Sequence, residues 1–244
     1  MNRLRLFLAV ACLAGCLTSP VSAEPNAKQR GWEVLSDARE AIGSAKVDVR
    51  DYSCSIETRI SRKGGAPIEL KSTLQLVMPE MVRQDVETPN GTMTLTFDGD
   101  RAVRQAKGEE TEMLPGRTAQ LRADVARANV LLGPAPSPDA VRFLRNEKVN
   151  ERDADVIEVQ DVGDAPVRLY IDTKTRDMLK MVYVGDIPGG GMAQVEELFS
   201  DYVEAGGIRW HGTRRVIRNG EESIVSKRHD FAVNTGLAVS DILR

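Results

Sequence analysis

The sequence is poor in the side chains that carry most enzyme chemistry. Its 244 residues include two histidines and three cysteines, and only 5% of them are aromatic. His211 and His229 both lie in predicted strands without a partner at metal-ligand spacing, so we expect a solvent-facing or structural role for each. No serine has the surroundings of a nucleophile elbow. We therefore expect neither an enzyme nor a protein with a metal or cofactor.

Two further motifs that could suggest a chemical site have simpler explanations. Glu196 and Glu197 are neighbours in a predicted strand, so their side chains point to opposite faces and cannot form a carboxylate dyad. The glycine run at 189–191 follows a proline, but neither a Lys-Ser pair nor a helix start comes after it. This context favours a hairpin loop over a phosphate-binding loop.

The sequence also lacks a strong excess of either positive or negative charge. The chain has 33 Lys and Arg residues against 36 Asp and Glu residues, which gives a formal net charge of −3 at pH 7. A mildly acidic protein with mixed surface charge is a poor match for nucleic acid, so we expect no nucleic-acid partner. We expect the protein to be a monomer.

The only long apolar run lies at the N-terminus and has the features of a secretory signal. Arg3 and Arg5 precede an apolar segment at 6–15, which is too short to span a bilayer. The sequence Leu-Ala-Gly-Cys at 13–16 resembles a bacterial lipobox, in which cleavage before Cys16 leaves a lipid-bearing cysteine. The sequence Val-Ser-Ala at 21–23 offers an alternative cleavage after residue 23, which would release a soluble protein.

We favour lipidation at Cys16, because the apolar segment stops just before it. Leu17, rather than aspartate, follows the cysteine, which suits outer-membrane sorting. The expected location is thus the outer membrane, lipid-anchored and facing the periplasm, with a soluble periplasmic protein as the alternative. Cys54 then has no partner for an internal disulfide, and its place in an alternating strand predicts a small buried residue.

The mature chain has the length of one mainly β domain. We divide the sequence into a signal peptide at 1–15, a linker at 16–26 and a single domain at 27–244. Helical spacing of apolar residues predicts helices at 27–45 and 117–132. Elsewhere the apolar residues alternate, which predicts ten or eleven short antiparallel strands separated by hairpin turns such as Asn90-Gly91, Asp98-Gly99 and Asn219-Gly220.

Two stretches resemble the LolA/LolB-type lipoprotein-carrier superfamily. In the stretch at 74–105, an apolar strand ends at Pro79 and a later hairpin turns at Asp98-Gly99. The second stretch runs from YIDTKTRDMLKMVY at 170–183 to FSDYVEAGGIRWHGTRRVIRNG at 199–220. The resemblance implies a mainly β (α+β) fold, namely an incomplete, curved antiparallel β-barrel with a helical lid.

The resemblance also implies a ligand and a cavity. Family members hold acyl chains of lipids or lipoproteins between the sheet and the helices. The implied cavity residues in this chain are Trp32, Leu35, Leu70, Leu74, Leu76, Met78, Val82, Leu95, Phe97, Leu121 and Val125. Met78 stands where the periplasmic carrier of the family has a lid-closing arginine, and a methionine cannot form the charge-assisted hydrogen bonds of such a latch.

The function implied by the resemblance is therefore binding of lipid or lipoprotein acyl chains on the periplasmic side of the envelope, with a role in outer-membrane lipoprotein sorting. The missing arginine favours an acceptor or a resident lipid-binding protein over a shuttling carrier. Two alternatives stay open. One is a LolA-like sensor or interaction module, and the other is a structural lipoprotein with no ligand.

Overall fold

The computed structural model describes residues 26–163, 165–186 and 191–243. The predicted signal peptide, Cys16 and nearly all of the predicted linker lie outside these residues. No helix within the described ranges has the length and apolarity needed to cross a bilayer.

Two helices of the structure correspond to the two predicted ones, with different ends. Helix α1 spans Ala27–Ala41 and buries Leu35 and Ala38. It stops before the predicted residue 45 because Gly43 takes a left-handed φ of +91° and lies against the backbone of Gly207. Helix α2 spans Pro115–Ala128 and begins with proline, whose fixed φ suits the first helical turn.

Within the described residues, thirteen strands form one antiparallel sheet. Their bounds are β1 (Asp51–Ile60), β2 (Ile68–Val77), β3 (Met81–Thr88), β4 (Gly91–Phe97), β5 (Ala102–Ala106), β6 (Glu109–Glu112), β7 (Val141–Val149), β8 (Arg152–Val159), β9 (Val167–Asp172), β10 (Met178–Asp186), β11 (Met192–Ala205), β12 (Ile208–Arg218) and β13 (Glu221–Val233). A four-residue helix, α3 (Val239–Ile242), follows the last strand.

The prediction of ten or eleven strands is too low because some strands lack apolar alternation. All four residues of β6 are exposed, and three of them are glutamates. Strand β7 carries four charged residues among its nine, which hides its single buried face in the sequence. Both strands lie at the sheet edges, where charged side chains also discourage pairing with other chains.

The strand order is β6-β5-β4-β3-β2-β1-β13-β12-β11-β10-β9-β8-β7. Strands β1 and β13 thus pair at the centre, while β6 and β7 are the two ends of the sheet within the described residues. A curved sheet with two ends that do not pair is an incomplete barrel, which confirms the predicted fold class.

The two helices differ in how closely they approach the sheet. Helix α1 packs directly on β7, where a Cβ added to Gly31 would lie 2.6 Å from the backbone of Arg142 and Phe143. Helix α2 stays farther from the sheet backbone. Side chains therefore fill the core beneath α1, whereas a space remains beneath α2.

The predicted small buried residue is confirmed at Cys54. Its side chain is 2% exposed and carries a free thiol. The main core consists of other buried side chains, including Leu76, Phe97, Ile157, Leu169 and Ile171.

Candidate functional site: a cavity beneath helix α2

A cavity of about 270 Å³ lies between the concave face of the sheet and α2. Strand alternation brings its apolar walls together. Leu74 and Leu76 of β2 pair with Cys54 and Tyr52 of β1, so these four side chains face the same side of the sheet. Leu95 on β4 and Leu121 on α2 also belong to the apolar lining. The size is close to the lower end of ligand pockets, which is about 300 Å³.

Six of the residues expected at a cavity line this one, namely Leu74, Leu76, Val82, Leu95, Leu121 and Val125. They fall into two groups by exposure. Leu76, Val82 and Val125 are at least 94% buried, because they also pack in the main core. Leu74, Leu95 and Leu121 are half-buried and present free apolar surface to the space.

The other five expected residues lie away from the cavity. Trp32 and Leu35 belong to α1 and pack in the filled core, and Phe97 is fully buried there too. Leu70 lies opposite Thr58 at the far end of the β1–β2 pair. Met78 precedes Pro79 in a cis peptide and lines a separate pocket near the C-terminal end of α1.

The cavity also has charged walls, which the apolar pattern of the sequence does not predict. Asp124 and Arg127 project from α2, Glu197 and Arg214 from β11 and β12, and Arg228 from β13. Three guanidinium groups therefore face two carboxylates. Nothing in the apolar alternation signals these positions, because an inward charge looks like any other polar residue in a strand.

Four of the five charges form two ion pairs. Arg127 Nη2 lies 2.6 Å from Asp124 Oδ1. Arg214 Nε donates to Glu197 Oε2 at 2.6 Å, and the Tyr183 hydroxyl donates to Glu197 Oε1 at 2.8 Å. Charge-assisted hydrogen bonds of this kind satisfy the buried carboxylate from two sides.

These contacts shift the pKa values of Glu197 and Tyr183. Burial acts to raise the pKa of Glu197, but the charge and hydrogen bonds of Arg214 and the hydrogen bond from Tyr183 outweigh it, so the pKa is lowered overall. Burial raises the pKa of Tyr183 above its ordinary value, with Glu197 acting in the same direction. Glu197 is therefore ionised and Tyr183 neutral at neutral pH.

Arg228 is the fifth charge and differs from the others. Its Nη1 donates to the main-chain carbonyl of His211 at 3.3 Å, and it has no ion pair with a carboxylate of the described chain. It lies opposite Ile56, another cavity residue, across the β1–β13 pair. The lining thus carries one more positive charge than negative, and Arg228 is the guanidinium without a carboxylate in ion-pair contact.

His211 is buried beside this arginine. Its side chain is 3% exposed, and its ring centroid lies 4.4 Å from that of Phe199 and 4.6 Å from that of Trp210. Neither ring nitrogen has a hydrogen-bond partner among the described residues. Burial lowers the pKa of His211 well below its ordinary value, and the charges of Arg228 and Arg214 lower it further, so the imidazole is neutral.

Polar contacts fix the C-terminal end of α2 above the cavity. Asn129, which follows the helix, donates from Nδ2 to the carbonyl of Pro79 at 3.2 Å and accepts from the Tyr52 hydroxyl at 3.4 Å. The Arg127 guanidinium lies 4.1 Å from the centre of the Tyr183 ring. In the part of the chain that the structure covers, no three His, Cys, Asp or Glu side chains are grouped so as to hold a metal.

The architecture and the cavity together define a class: an unclosed antiparallel β-barrel with a cavity of apolar and charged walls beneath a helix. Solved structures share this fold. A LolA superfamily protein from Nitrosomonas europaea superimposes with a TM-score of 0.61 at 13% identity, covering 88% of this chain and 97% of that one. A putative outer membrane lipoprotein-sorting protein domain from Vibrio parahaemolyticus gives 0.59 at 13% identity, with the same coverage.

A DUF1329 family protein from Desulfovibrio piger is similar to the same extent, with a TM-score of 0.58 at 12% identity, covering 86% of this chain and 94% of that one. No protein-family model matches the sequence. No curated protein matches it either. The predicted LolA-like fold is confirmed, and at these identities the likeness concerns the fold alone.

Proposed function

We propose that this protein binds acyl chains of lipids or lipoproteins in the cavity beneath α2. The observation that carries the proposal is the unfilled space of about 270 Å³ with free apolar surface on Leu74, Leu95 and Leu121. Protein interiors are otherwise close-packed, so an unfilled space beside apolar side chains forgoes packing contacts that the chain of a ligand would supply. The LolA-like fold supports the proposal, because such a half-barrel leaves room for a ligand under its helix.

We also propose that the protein acts at the periplasmic face of the outer membrane, anchored through lipid on Cys16. Support comes from the lipobox at 13–16 and from the short apolar segment before it. An anchored protein would receive or retain lipid at the membrane rather than carry it across the periplasm. Met78 supports this view, since it lies outside the cavity and offers no latch to α2.

The acyl-chain proposal is tested with delipidated protein and a fluorescent fatty acid. We expect saturable binding at one site per chain, with emission typical of an apolar environment. Unlabelled fatty acid should compete for the site. Absence of saturable binding by correctly folded protein would leave a structural lipoprotein without a ligand in place of this proposal.

A further inference from the structure

The charged end of the cavity indicates which head group the ligand carries, if the cavity binds acyl chains as proposed above. We propose that Arg228 and His211 form a head-group site for a monoanionic amphiphile, so that the ligand is a single-chain carboxylate such as a free fatty acid. Its chain would lie along Leu74, Leu95 and Leu121.

The charge balance of the lining supports a single negative charge on the ligand. Asp124 is paired with Arg127 and Glu197 with Arg214, which leaves the guanidinium of Arg228 as the excess charge. A buried or half-buried cation without a counter-ion is costly, and an anionic head group entering the cavity would remove that cost. A dianion would leave one negative charge unbalanced.

His211 supplies the second, independent observation. It lines the cavity, it is almost completely buried, and its two ring nitrogens have no partner within the described residues. A neutral imidazole carries one N–H donor, and buried donors are nearly always satisfied. A carboxylate oxygen beside Arg228 would provide the acceptor that this donor lacks.

The volume favours a carboxylate over a phospholipid head. A space of about 270 Å³ is small for a glycerophosphate group with two chains, but it admits a carboxylate with a single flexible chain. The planar guanidinium also matches a carboxylate in a bidentate geometry.

The test compares three probes of equal chain length below their micelle concentrations: dodecanoate, dodecanol and dodecyl phosphate. Wild-type protein should bind dodecanoate about tenfold or more tightly than dodecanol, since hydrogen bonds to charged groups have about that effect. Arg228→Gln should abolish the preference, measured as the ratio of the two affinities in the same variant. Lys227→Gln removes the same charge one residue away on the exposed face of β13 and should keep the preference.

A wild-type measurement avoids any dependence on the folding of variants. The chain contains two histidines, so protein with labelled histidine gives one set of imidazole NMR signals for each. Dodecanoate should shift the His211 signals, whereas those of His229, which is exposed on the opposite face, should stay in place.

The outcomes separate this inference from the proposed function. If wild-type protein binds dodecanoate and dodecanol with equal affinity, the head-group site is wrong and acyl binding still stands. The same conclusion follows if the His211 signals do not shift at saturating dodecanoate. Binding of neither probe overturns the proposed function itself. Tighter binding of dodecyl phosphate than of dodecanoate would contradict the monoanionic carboxylate.

Discussion

Arg214 and Glu197 form an ion pair at the wall of the cavity, with Arg214 Nε 2.6 Å from Glu197 Oε2. The two residues lie on adjacent strands, since Glu197 is in β11 and Arg214 in β12. Arg214 pairs with Phe199, which is two residues from Glu197 and on the same face of β11, so both side chains face the same side of the sheet. The pair belongs to a charged part of the lining that adjoins the apolar surface of Leu74, Leu95 and Leu121. The cavity is consequently amphipathic, which is the property that an amphiphilic ligand requires.

Replacing Glu197 should show how much the fold depends on this pair. Glu197→Gln leaves the Arg214 charge without its partner, and loss of one member of a buried pair costs about 3–5 kcal/mol of unfolding free energy. Glu196→Gln is the matched control, since Glu196 lies on the opposite face with a 3.6 Å contact to Lys180 and should change stability by about 1 kcal/mol or less. Urea unfolding measures the unfolding free energy of both variants. Equal losses would contradict the role of Glu197 in a stabilising buried ion pair.

The same pair predicts a pH dependence of stability. The folded-state pKa of Glu197 is lowered, so its stabilising contribution is complete above the unfolded carboxyl pKa of about 4.3 and is lost as the pH falls through the folded value. Wild-type protein should therefore lose stability in this acid range more steeply than Glu197→Gln. Parallel pH profiles of the two proteins, measured by chemical denaturation, would contradict this.

Alanine substitutions at two leucines of the site should show which side chain packs in the core and which one faces the open cavity. Leu76 is 2% exposed, so Leu76→Ala should cost about 2–5 kcal/mol of unfolding free energy. Leu95 already faces the open space, so Leu95→Ala should cost about 1 kcal/mol. A similar loss for both variants in denaturant titrations would mean that the space beneath α2 is filled.

Filling the space from the helix should block the ligand without harming the fold. Leu121→Trp projects an indole into the cavity and should weaken fatty-acid binding about tenfold or more. Ala119→Trp adds the same group to an exposed position of α2 and should leave binding unchanged. Fluorescent fatty-acid titration compares the two, and equal affinities would place the ligand elsewhere.

The sequence predicts which side chains share the concave face of the sheet, but it does not predict where on that face the cavity lies. Leu74, Leu76 and Leu95 alternate with polar residues, so their common face follows from the pleat of the strands. Phe97 has the same alternation, yet it lies in filled core. The distinction depends on where α2 crosses the sheet and how far it stands from it, which no local pattern records.

The polar part of the site could not be predicted for a different reason. Arg228 and His211 interrupt the apolar alternation of their strands, and such interruptions usually mark solvent-facing residues. Their burial results from neighbours that are distant in sequence, such as Phe199 beside His211. The end of α1 could not be predicted either, since it depends on the approach of Gly43 to Gly207.

The proposed anchor has its own test at Cys16. We expect mass spectrometry of the native protein to show a mature N-terminus at Cys16 carrying diacylglycerol, whose two chains provide roughly 0.8 kcal/mol per buried methylene for membrane attachment. Cys16→Ser should release the protein from the membrane fraction. An unmodified N-terminus at Glu24 would show instead that cleavage follows residue 23.

The most direct test of acyl binding is a crystal structure with a fatty acid brominated near the end of its chain. Anomalous scattering locates the bromine without reference to any expected pose. Acyl binding in the cavity should give one strong peak beneath α2, within contact of Leu74, Leu95 or Leu121. A cavity without a peak in crystals grown with excess probe, or a peak only on the outer surface, would contradict it.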